Sequence, residues 1–236
     1  MTDTQSALAA LHAAGNAQKA AEMAAYHKVD RPYLGIPVPQ VEEFTDAWRG
    51  QMDVLVRIDL AAGLWDSNIH EARVAACKLL TQARMKEGDT PAFDLICTWA
   101  QQFDAWALAD HACIALQKRL VANPQRLDVI EDWTVSPLMW MRRAALVATL
   151  PWAKINHPKP EDSAIRERIL DWAALYVPDR DWFMQKVVAW WLRDLSKHDG
   201  ARTAAFLAEH GPYMKAFARK EAAQYLPEDL RAGLAR

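Results

Sequence analysis

A tryptophan and an aspartate lie four residues apart in this chain, and together they could hold a positively charged ligand. Trp106 and Asp110 belong to FDAWALADHACIAL (103–116), an apolar stretch typical of a buried helix. Residues with this spacing lie on one helix face. An aspartate is rarely buried without a partner, and an aromatic face attracts cations. The pair therefore predicts either a structural ion pair or a site that a cation reaches.

Two basic residues fall in the same helical register as Asp110. Three other segments superpose on this stretch as short amphipathic helices: HEARVAAC (70–77), MWMRRAAL (139–146) and WFMQKVVA (182–189). The superposition aligns Asp110 with Val74, Arg143 and Lys186, at spacings of 36, 33 and 43 residues. These spacings are close to the period of two-helix repeats of the HEAT and armadillo kind. Equivalent positions in such an array line up along its inner surface, so we expect the charges to share one surface.

The elements that must position these residues are helices throughout the chain. Apolar residues recur every three or four positions, only 8 Gly are available for turns, and no segment alternates with period two. Prolines punctuate the pattern, and Ser136-Pro137 predicts a capped helix start. We predict an all-α fold, an α-solenoid of HEAT-like or armadillo-type helical repeats, with residues 1–236 as a single domain. An irregular helical bundle is the alternative.

Eleven tryptophans are the most unusual feature of the composition. We expect most of them in the core, where each buries a large area. Four are the plainest core candidates: Trp48, Trp65, Trp99 and Trp172. Trp106, Trp190 and Trp191 differ because charged residues lie within one helical turn of each. These three are therefore candidates for stacking on bases or cations.

Composition and charge exclude several classes of protein. The N-terminal segment has Asp3 and no basic region, which predicts a first helix and not a signal peptide. No apolar run reaches the roughly 18 residues of a membrane span. The three cysteines form no CxxC pair, and the seven histidines show no metal-ligand spacing. We therefore expect a cytoplasmic protein with reduced thiols, without a metal and without membrane association.

The charge is distributed unevenly along the chain. Net charge is −2, but residues 1–117 carry −6 (9 Lys/Arg and 15 Asp/Glu) and residues 118–236 carry +4 (19 and 15). Patches of charge, not totals, set the field that a charged ligand feels. A nucleic-acid surface is therefore expected mainly in the C-terminal half.

Spacing alone leaves two interpretations of the charged register. In one, Asp110 pairs with Arg143 as a structural salt bridge between repeats, which is the commoner arrangement of charges between helices. In the other, Trp106 and Asp110 join Arg143, Lys186 and Trp190 in a cleft with aromatic walls, one carboxylate and two cations. Spacing favours the first interpretation, and a family resemblance favours the second.

Three motifs carry that resemblance. They are W-x-x-x-D in WALAD (106–110), W-x-x-R before an alanine pair in MWMRRAALV (139–147), and Q-K-x-x-x-W in FMQKVVAWWLRDLSK (183–197). Further matches are YHKVDRPYLGIPVPQ (26–40), LWDSNIHEARVAACKLL (64–80) and RKEA (219–222). Through these segments nearly the whole chain resembles the DNA alkylation repair enzymes of the AlkD type, which are alkylpurine DNA glycosylases built from HEAT-like repeats.

The resemblance implies roles position by position. Asp110 matches the family's catalytic carboxylate, and Trp106 and Trp190 match its cleft tryptophans. Arg143 matches an arginine that contacts DNA at the lesion, and Tyr26 matches an aromatic residue beside the cleft. Many relatives carry an aromatic residue where this chain has alanine just before Trp106, which implies a thinner cleft wall.

The implied activity is excision of 3-methyladenine and 7-methylguanine, which are cationic N-alkylated purines, in base excision repair. Asp110 is expected to stabilise the oxocarbenium-like sugar or to position the attacking water, while Lys186 and Arg193 flank the DNA backbone. We expect a monofunctional N-glycosylase, a hydrolase that acts on double-stranded DNA as a monomer without metal or organic cofactor. The alternative is a non-catalytic helical-repeat module that binds DNA or protein.

Overall fold

Helices account for the regular structure of the chain. The computed structural model describes residues 2–233, and no strand occurs among them. The helices form two compact units, Met1–Pro124 and Gln125–Arg236. The all-α prediction is confirmed. The prediction of a single domain over residues 1–236 stays a prediction, and its ends, residue 1 and residues 234–236, lie outside the described residues.

The first unit contains seven helices in its described residues. They are α1 (Thr4–Ala13), α2 (Ala17–His27), α3 (Val38–Arg49), α4 (Val54–Asp66), α5 (His70–Leu80), α6 (Asp89–Ala100) and α7 (Trp106–Ala122), with a 3₁₀ turn at Lys86–Gly88 before α6.

Consecutive helices of the first unit pack as pairs, α4 against α5 and α6 against α7. The second helix of each pair also packs on the next one, so that α5 lies between α3 and α7. All residues of α5 except Lys78 are buried, because the helix is covered on several sides. Stacked helix pairs of this kind are the HEAT-like arrangement that the repeat spacing predicts.

The second unit contains eight helices in its described residues. They are α8 (Leu127–Trp133), α9 (Met139–Ala148), α10 (Leu150–Ala153), α11 (Pro160–Tyr176), α12 (Trp182–Ser196), α13 (Gly200–His210), α14 (Ala216–Ala222) and α15 (Glu228–Gly233), with a 3₁₀ turn at Gly211–Tyr213. A further 3₁₀ turn, Pro124–Arg126, spans the boundary of the units.

The second unit repeats the packing of the first. Helix α8 packs on α9, and α11 and α13 pack on α12, while α12 lies between α9 and α14. Asp181 begins α12 by accepting hydrogen bonds from the backbone N–H groups of Phe183 (2.7 Å) and Met184 (3.3 Å). An aspartate in this position satisfies N–H groups that have no partner within the helix. The position of α12 is therefore set both by its cap and by helices on several sides.

The repeat register derived from the sequence is confirmed within the helices. Val74, Asp110, Arg143 and Lys186 are each the fifth residue of their helix, in α5, α7, α9 and α12. The shared position places each side chain at the same point relative to the start of its helix. The surroundings differ, because Val74 and Arg143 are buried whereas Asp110 and Lys186 are half-buried.

The core contains the tryptophans that the composition assigned to it. Trp48, Trp65, Trp99 and Trp172 are all buried. The rings of Trp65 and Trp99 stack at 4.4 Å between centroids with 6° between their planes. The Trp65 indole also donates to Oε1 of Gln102 at 3.0 Å. Packing, not ligand binding, therefore explains these four residues, as predicted.

The predicted helix start at Ser136-Pro137 is wrong. Helix α9 begins at Met139, and its first turn receives no hydrogen bond from a capping side chain. The hydroxyl of Ser136 instead accepts from the backbone N–H of Leu138 at 3.2 Å. This local turn holds Leu138 in an extended conformation, so the helix begins one residue later, at Met139.

In residues 2–233, no helix is both long enough and apolar enough to cross a bilayer.

Candidate active site

A cavity of about 610 Å³ in the first unit brings together three of the predicted site residues. Tyr26 of α2 and Trp106 and Asp110 of α7 line it. Its other lining residues come from α2, α3, α5 and α7: Glu22, Met23, His27, Val38, His70, Ala107, His111 and Ile114. Most of these side chains are apolar or aromatic, which is typical of ligand sites. We call this space the aromatic cavity.

Tyr26 and Trp106 form one wall of the aromatic cavity. Their ring centroids lie 6.0 Å apart with 88° between the planes, an edge-to-face contact. Tyr26 is 69% exposed, so its ring extends the wall toward solvent. Trp106 is the first residue of α7, which follows the extended backbone of Ala105. The aromatic surface thus lies at the start of the helix that carries Asp110.

Two carboxylates lie among the described residues that line the aromatic cavity, and their environments differ. Asp110 is half-buried on α7, one turn after Trp106. Glu22 is exposed on α2 and accepts a hydrogen bond from Nε2 of Gln18 at 3.2 Å. A half-buried carboxylate acts on a nearby charge through a lower effective dielectric than an exposed one. Asp110 is therefore the stronger partner for a bound cation.

Three histidines complete the lining of the aromatic cavity. His27 and His70 stack with their centroids 4.5 Å apart, and His111 follows Asp110 directly. Burial lowers the pKa of His70 to about 3 and that of His111 to about 4. Burial also lowers the pKa of His27. At neutral pH these imidazoles are uncharged, so they add aromatic surface without repelling a cation.

A buried glutamate holds the loop beside the aromatic cavity. The carboxylate of Glu71 accepts hydrogen bonds from the backbone N–H groups of Leu34 (2.9 Å), Gly35 (2.7 Å) and Ile36 (3.3 Å). Gly35 has φ +76°, and a Cβ there would lie 2.2 Å from the carbonyl oxygen of Asn16, so only glycine fits. This clamp places the loop against α5, where Tyr33 stacks on His70 at 4.9 Å. The lining of the cavity therefore depends on a residue that does not line it.

A second cavity, of about 1170 Å³ and within the second unit, has five basic residues among the eleven that line it. Its cations are Lys186, Arg193, Arg219, Lys220 and Arg231. Glu221 bonds Nζ of Lys186 and Nη1 of Arg193, each at 2.6 Å. Among the described lining residues, five cations thus face one carboxylate. We call this space the basic cavity.

The buried amide of Gln185 fixes the helices that form the basic cavity. Its Nε2 donates to the carbonyl oxygens of Val177 (2.9 Å) and Asp179 (2.8 Å), and its Oε1 accepts from the N–H of Lys215 at 2.8 Å. These bonds join α12 to the loop before it and to the start of α14. Gln185 therefore connects α12, which carries Lys186, to the start of α14, which carries Glu221.

The remaining predicted residues lie in the second unit in different surroundings. Trp190 is half-buried on α12, one turn after Lys186. Arg143 is buried on α9, and its guanidinium carbon lies 5.8 Å from the ring centroid of Trp140. The roles predicted for these two residues, and the predicted salt bridge between Asp110 and Arg143, stay predictions.

Sequence reasoning missed five residues that shape the two cavities: His27, His70, His111, Glu71 and Glu221. The spacing of the histidines carries no metal-ligand signature, and no group of three or more His, Cys, Asp or Glu in residues 2–233 is placed to hold a metal. His27 and His111 were nevertheless detectable, because each is adjacent in sequence to a predicted site residue, Tyr26 or Asp110. His70, Glu71 and Glu221 lie within segments that carry the family resemblance, 64–80 and 219–222, but the resemblance assigned them no role.

The two cavities can bind opposite charges. A carboxylate within an aromatic enclosure can hold a flat cation through the ring faces and oppose its charge. A cavity with surplus lysine and arginine can hold phosphate groups. Both properties fit a protein that binds a nucleic acid carrying a cationic base.

Comparison with known proteins identifies the family of the chain and its fold. The family described as DNA alkylation repair enzyme matches residues 7–226. A solved structure titled a predicted DNA alkylation repair enzyme from Enterococcus faecalis superposes with a TM-score of 0.75 at 18% identity, covering 91% of this chain and 97% of that one. AlkD2 from Streptococcus mutans superposes with a TM-score of 0.60 at 16% identity, covering 89% and 98%.

A third structure, smu.31 from Streptococcus mutans UA159, gives a TM-score of 0.60 at 17% identity, covering 80% of this chain and 93% of that one. At these identities the structural likeness shows the fold, and the family match shows the relationship. Among curated proteins, none matches the chain.

Proposed function

We propose that this chain, which belongs to the DNA alkylation repair enzyme family, is a monofunctional DNA glycosylase. Its proposed substrates are cationic N-alkylated purines. Family membership makes it a DNA repair enzyme with DNA as its ligand. The finer assignment, to 3-methyladenine and 7-methylguanine in double-stranded DNA, is supported by one observation above all. A half-buried carboxylate, Asp110, lines the same cavity as Tyr26 and Trp106.

The proposed chemistry needs little acid assistance. The bond between C1′ of the sugar and the base nitrogen breaks, and its electron pair leaves with the base and neutralises the positive charge there. Water then adds to C1′ and loses a proton, which leaves an abasic site. The transition state resembles an oxocarbenium ion, so the catalytic requirement is negative charge near the sugar, or a group that positions the water.

Asp110 supplies the negative charge in this proposal. A carboxylate about 4 Å from a unit charge is worth roughly 4 kcal/mol at an effective dielectric near 20. If the interaction is made mainly in the transition state, the rate gain is on the order of a thousandfold. Trp106 and Tyr26 hold the cationic nucleotide through their ring faces, at about 0.5–2 kcal/mol for each contact.

In this proposal, the second unit binds the DNA backbone. Lys186 and Arg193 are the candidates in the basic cavity, where both bond Glu221 and three further cations adjoin them. Arg143 and Trp190 are proposed, on the family resemblance, to contact the DNA at the lesion. We propose that the protein works as a monomer and needs neither metal nor organic cofactor.

The test is release of 7-methylguanine and 3-methyladenine from methylated duplex DNA by the wild type and by Asp110→Asn. We expect the variant to be slower on the order of a thousandfold, from the loss of the opposing charge. Glu22→Gln is the matched control, because it makes the same carboxylate-to-amide change in the same cavity at an exposed position. It should stay within a fewfold of the wild type.

Three outcomes separate the alternatives. No release by the wild type, together with salt-sensitive binding of DNA, would identify a non-catalytic DNA-binding module and overturn the proposal. Equal release by the wild type and Asp110→Asn would preserve the glycosylase and remove Asp110 from its role. Equal losses in Asp110→Asn and Glu22→Gln would point to the total charge of the cavity and not to one catalytic group.

A further inference from the structure

His27 lies at the centre of the ring contacts that build the aromatic cavity. Its ring stacks on His70 at 4.5 Å with 25° between the planes, and on Tyr33 at 5.6 Å with 24°. It also meets the edge of Trp106 at 5.9 Å and 70°. Tyr26, its neighbour in sequence, contacts it at 5.3 Å. His27 thus joins the tyrosine–tryptophan wall to the buried rings behind it.

The charged groups around His27 are mostly engaged with other partners. The carboxylate of Glu71 accepts three backbone N–H groups, and Arg31 forms an ion pair with Asp104. The titratable and charged groups that face His27 come from α2, the following loop, α5, the segment before α7, and α7 itself: Glu22, Tyr26, Arg31, Tyr33, His70, Glu71, Asp104, Asp110 and His111.

Protonation of His27 is unfavourable for a geometric reason. Its Nδ1 is buried and has no hydrogen-bond partner within the described residues. A protonated imidazole carries a donor on both nitrogens, so one N–H would be buried without an acceptor, which is costly. Burial accordingly lowers the pKa of His27, and Arg31 lowers it further, while Glu71 opposes the change. The same burial of Nδ1 occurs at His111.

We propose that His27 is a specificity-determining residue of the aromatic cavity: its uncharged ring, stacked on His70 and joined to Trp106, makes the surface that admits a cationic base. This inference rests on the proposed glycosylase function. An uncharged aromatic surface attracts the alkylated base through its ring face. A protonated His27 would instead place a positive charge next to a positive ligand. The cavity is therefore selective for cations only while His27 is neutral.

The experiment is single-turnover release of 7-methylguanine from methylated duplex DNA between pH 5 and pH 7.5. The proteins are the wild type, His27→Phe, His27→Gln and His27→Lys, and spontaneous release from the DNA is subtracted. His12→Phe is the matched control, since it makes the same change at an exposed histidine of α1 outside the cavity. Circular dichroism at each pH shows which proteins are folded, and only those are compared. If His27→Phe does not fold, His27→Gln replaces it as the variant without a titrating ring.

The wild type and His12→Phe should lose rate as the pH falls through the titration of His27, with a limit of about tenfold per pH unit for one essential group. His27→Phe or His27→Gln should lose no more than about twofold over the same range. His27→Lys should be at least tenfold slower than the wild type at pH 7.5.

The inference is overturned if the variants without a titrating ring keep the wild-type acid limb, or if His27→Lys is as fast as the wild type. Either result leaves the glycosylase intact, because the wild type still releases the base. Absence of release by the wild type at every pH is a different result, which overturns the proposed function and this inference with it.

Discussion

The aromatic cavity and the basic cavity use the same kind of scaffold for opposite charges. In the first unit, Asp110 lies among aromatic rings, and the nearby histidines are uncharged because they are buried. In the second unit, Glu221 bonds two cations and three more remain in surplus. The units themselves differ in the same direction, with −4 for residues 1–124 (11 Lys/Arg, 15 Asp/Glu) and +2 for residues 125–236 (17 and 15).

The carboxylates of the two units have different partners. Glu71 in the first unit is a buried clamp on backbone N–H groups, and Asp110 is the half-buried carboxylate in the lining of the aromatic cavity. Glu221 in the second unit accepts hydrogen bonds from two cations, Lys186 and Arg193. The charges of the lining residues therefore differ in sign between the two cavities. The sharpest test of this comparison is the loss of activity expected for Asp110→Asn.

The next largest effect is expected from Glu71→Gln, which tests whether the aromatic cavity depends on its clamp. The amide can replace only part of the acceptor capacity of a buried carboxylate that binds three N–H groups. Hydrogen bonds to charged groups contribute about 1.5–3 kcal/mol each, so we expect the free energy of unfolding to fall by roughly 3 kcal/mol. Urea unfolding of both proteins measures it.

Glu42→Gln is the matched control for the clamp. Glu42 forms an ion pair with Lys78 of α5 and its side chain is 47% exposed, and pairs at such positions are worth at most about 1 kcal/mol. Equal losses in the two variants would show that the buried carboxylate of Glu71 contributes no more to stability than an exposed ion pair does. A loss confined to Glu71→Gln would show that the first unit depends on a buried anion.

Acid should destabilise the folded protein through the histidines of the aromatic cavity. The folded pKa values of His70 and His111, about 3 and about 4, lie below the ordinary histidine pKa of 6.5. Between these values the unfolded chain binds more protons, so stability is fully present above about pH 6.5 and is lost as the pH falls. Each histidine contributes up to about 1.4 kcal/mol per pH unit to this loss.

The free energy of unfolding of the wild type, His111→Gln and the double variant with His70→Asn, measured from pH 7.5 to pH 4.5, checks this prediction. Each substitution should reduce the slope of the free energy of unfolding against pH by the equivalent of about one bound proton. An unchanged slope in both variants would show that these imidazoles are not the source of acid sensitivity.

The smallest effects are expected in the basic cavity, where no single cation is essential. Lys186→Ala and Arg193→Ala should each weaken DNA binding a fewfold and reduce the slope of log K against log salt by about 0.9. Lys118→Ala is the control, an exposed lysine of α7 that lines neither cavity. If Lys186→Ala and Arg193→Ala change the salt slope no more than Lys118→Ala does, the basic cavity does not hold the DNA backbone.

Sequence patterns were sufficient for the helical register and for most of the core, but Trp191, predicted as a stacking residue, is completely buried. The spacing of Val74, Asp110, Arg143 and Lys186 anticipated their shared position in four helices. The abundance of tryptophan correctly indicated a core that includes the stacked pair Trp65 and Trp99. Both predictions succeed because helical periodicity and burial of large apolar side chains are properties of local sequence.

The helix start at α9 could not be predicted in the same way. Ser136-Pro137 has the residue types of a cap, but the serine hydroxyl bonds Leu138 instead. The two outcomes use the same side chain and differ only in the backbone conformation of the next two residues. Neighbouring residue types therefore do not decide between them.

The sequence by itself determined the helical repeats, the buried tryptophans and the placement of Trp106 and Asp110 on one helix face. Only the tertiary structure decided that His27 stacks on His70, that Glu71 binds the loop at Gly35, and that Lys186 and Arg193 share Glu221. These contacts join residues 28 to 43 positions apart. They depend on how helices and loops pack, which no local period encodes. The charge of a buried imidazole likewise follows from its surroundings and not from its residue type.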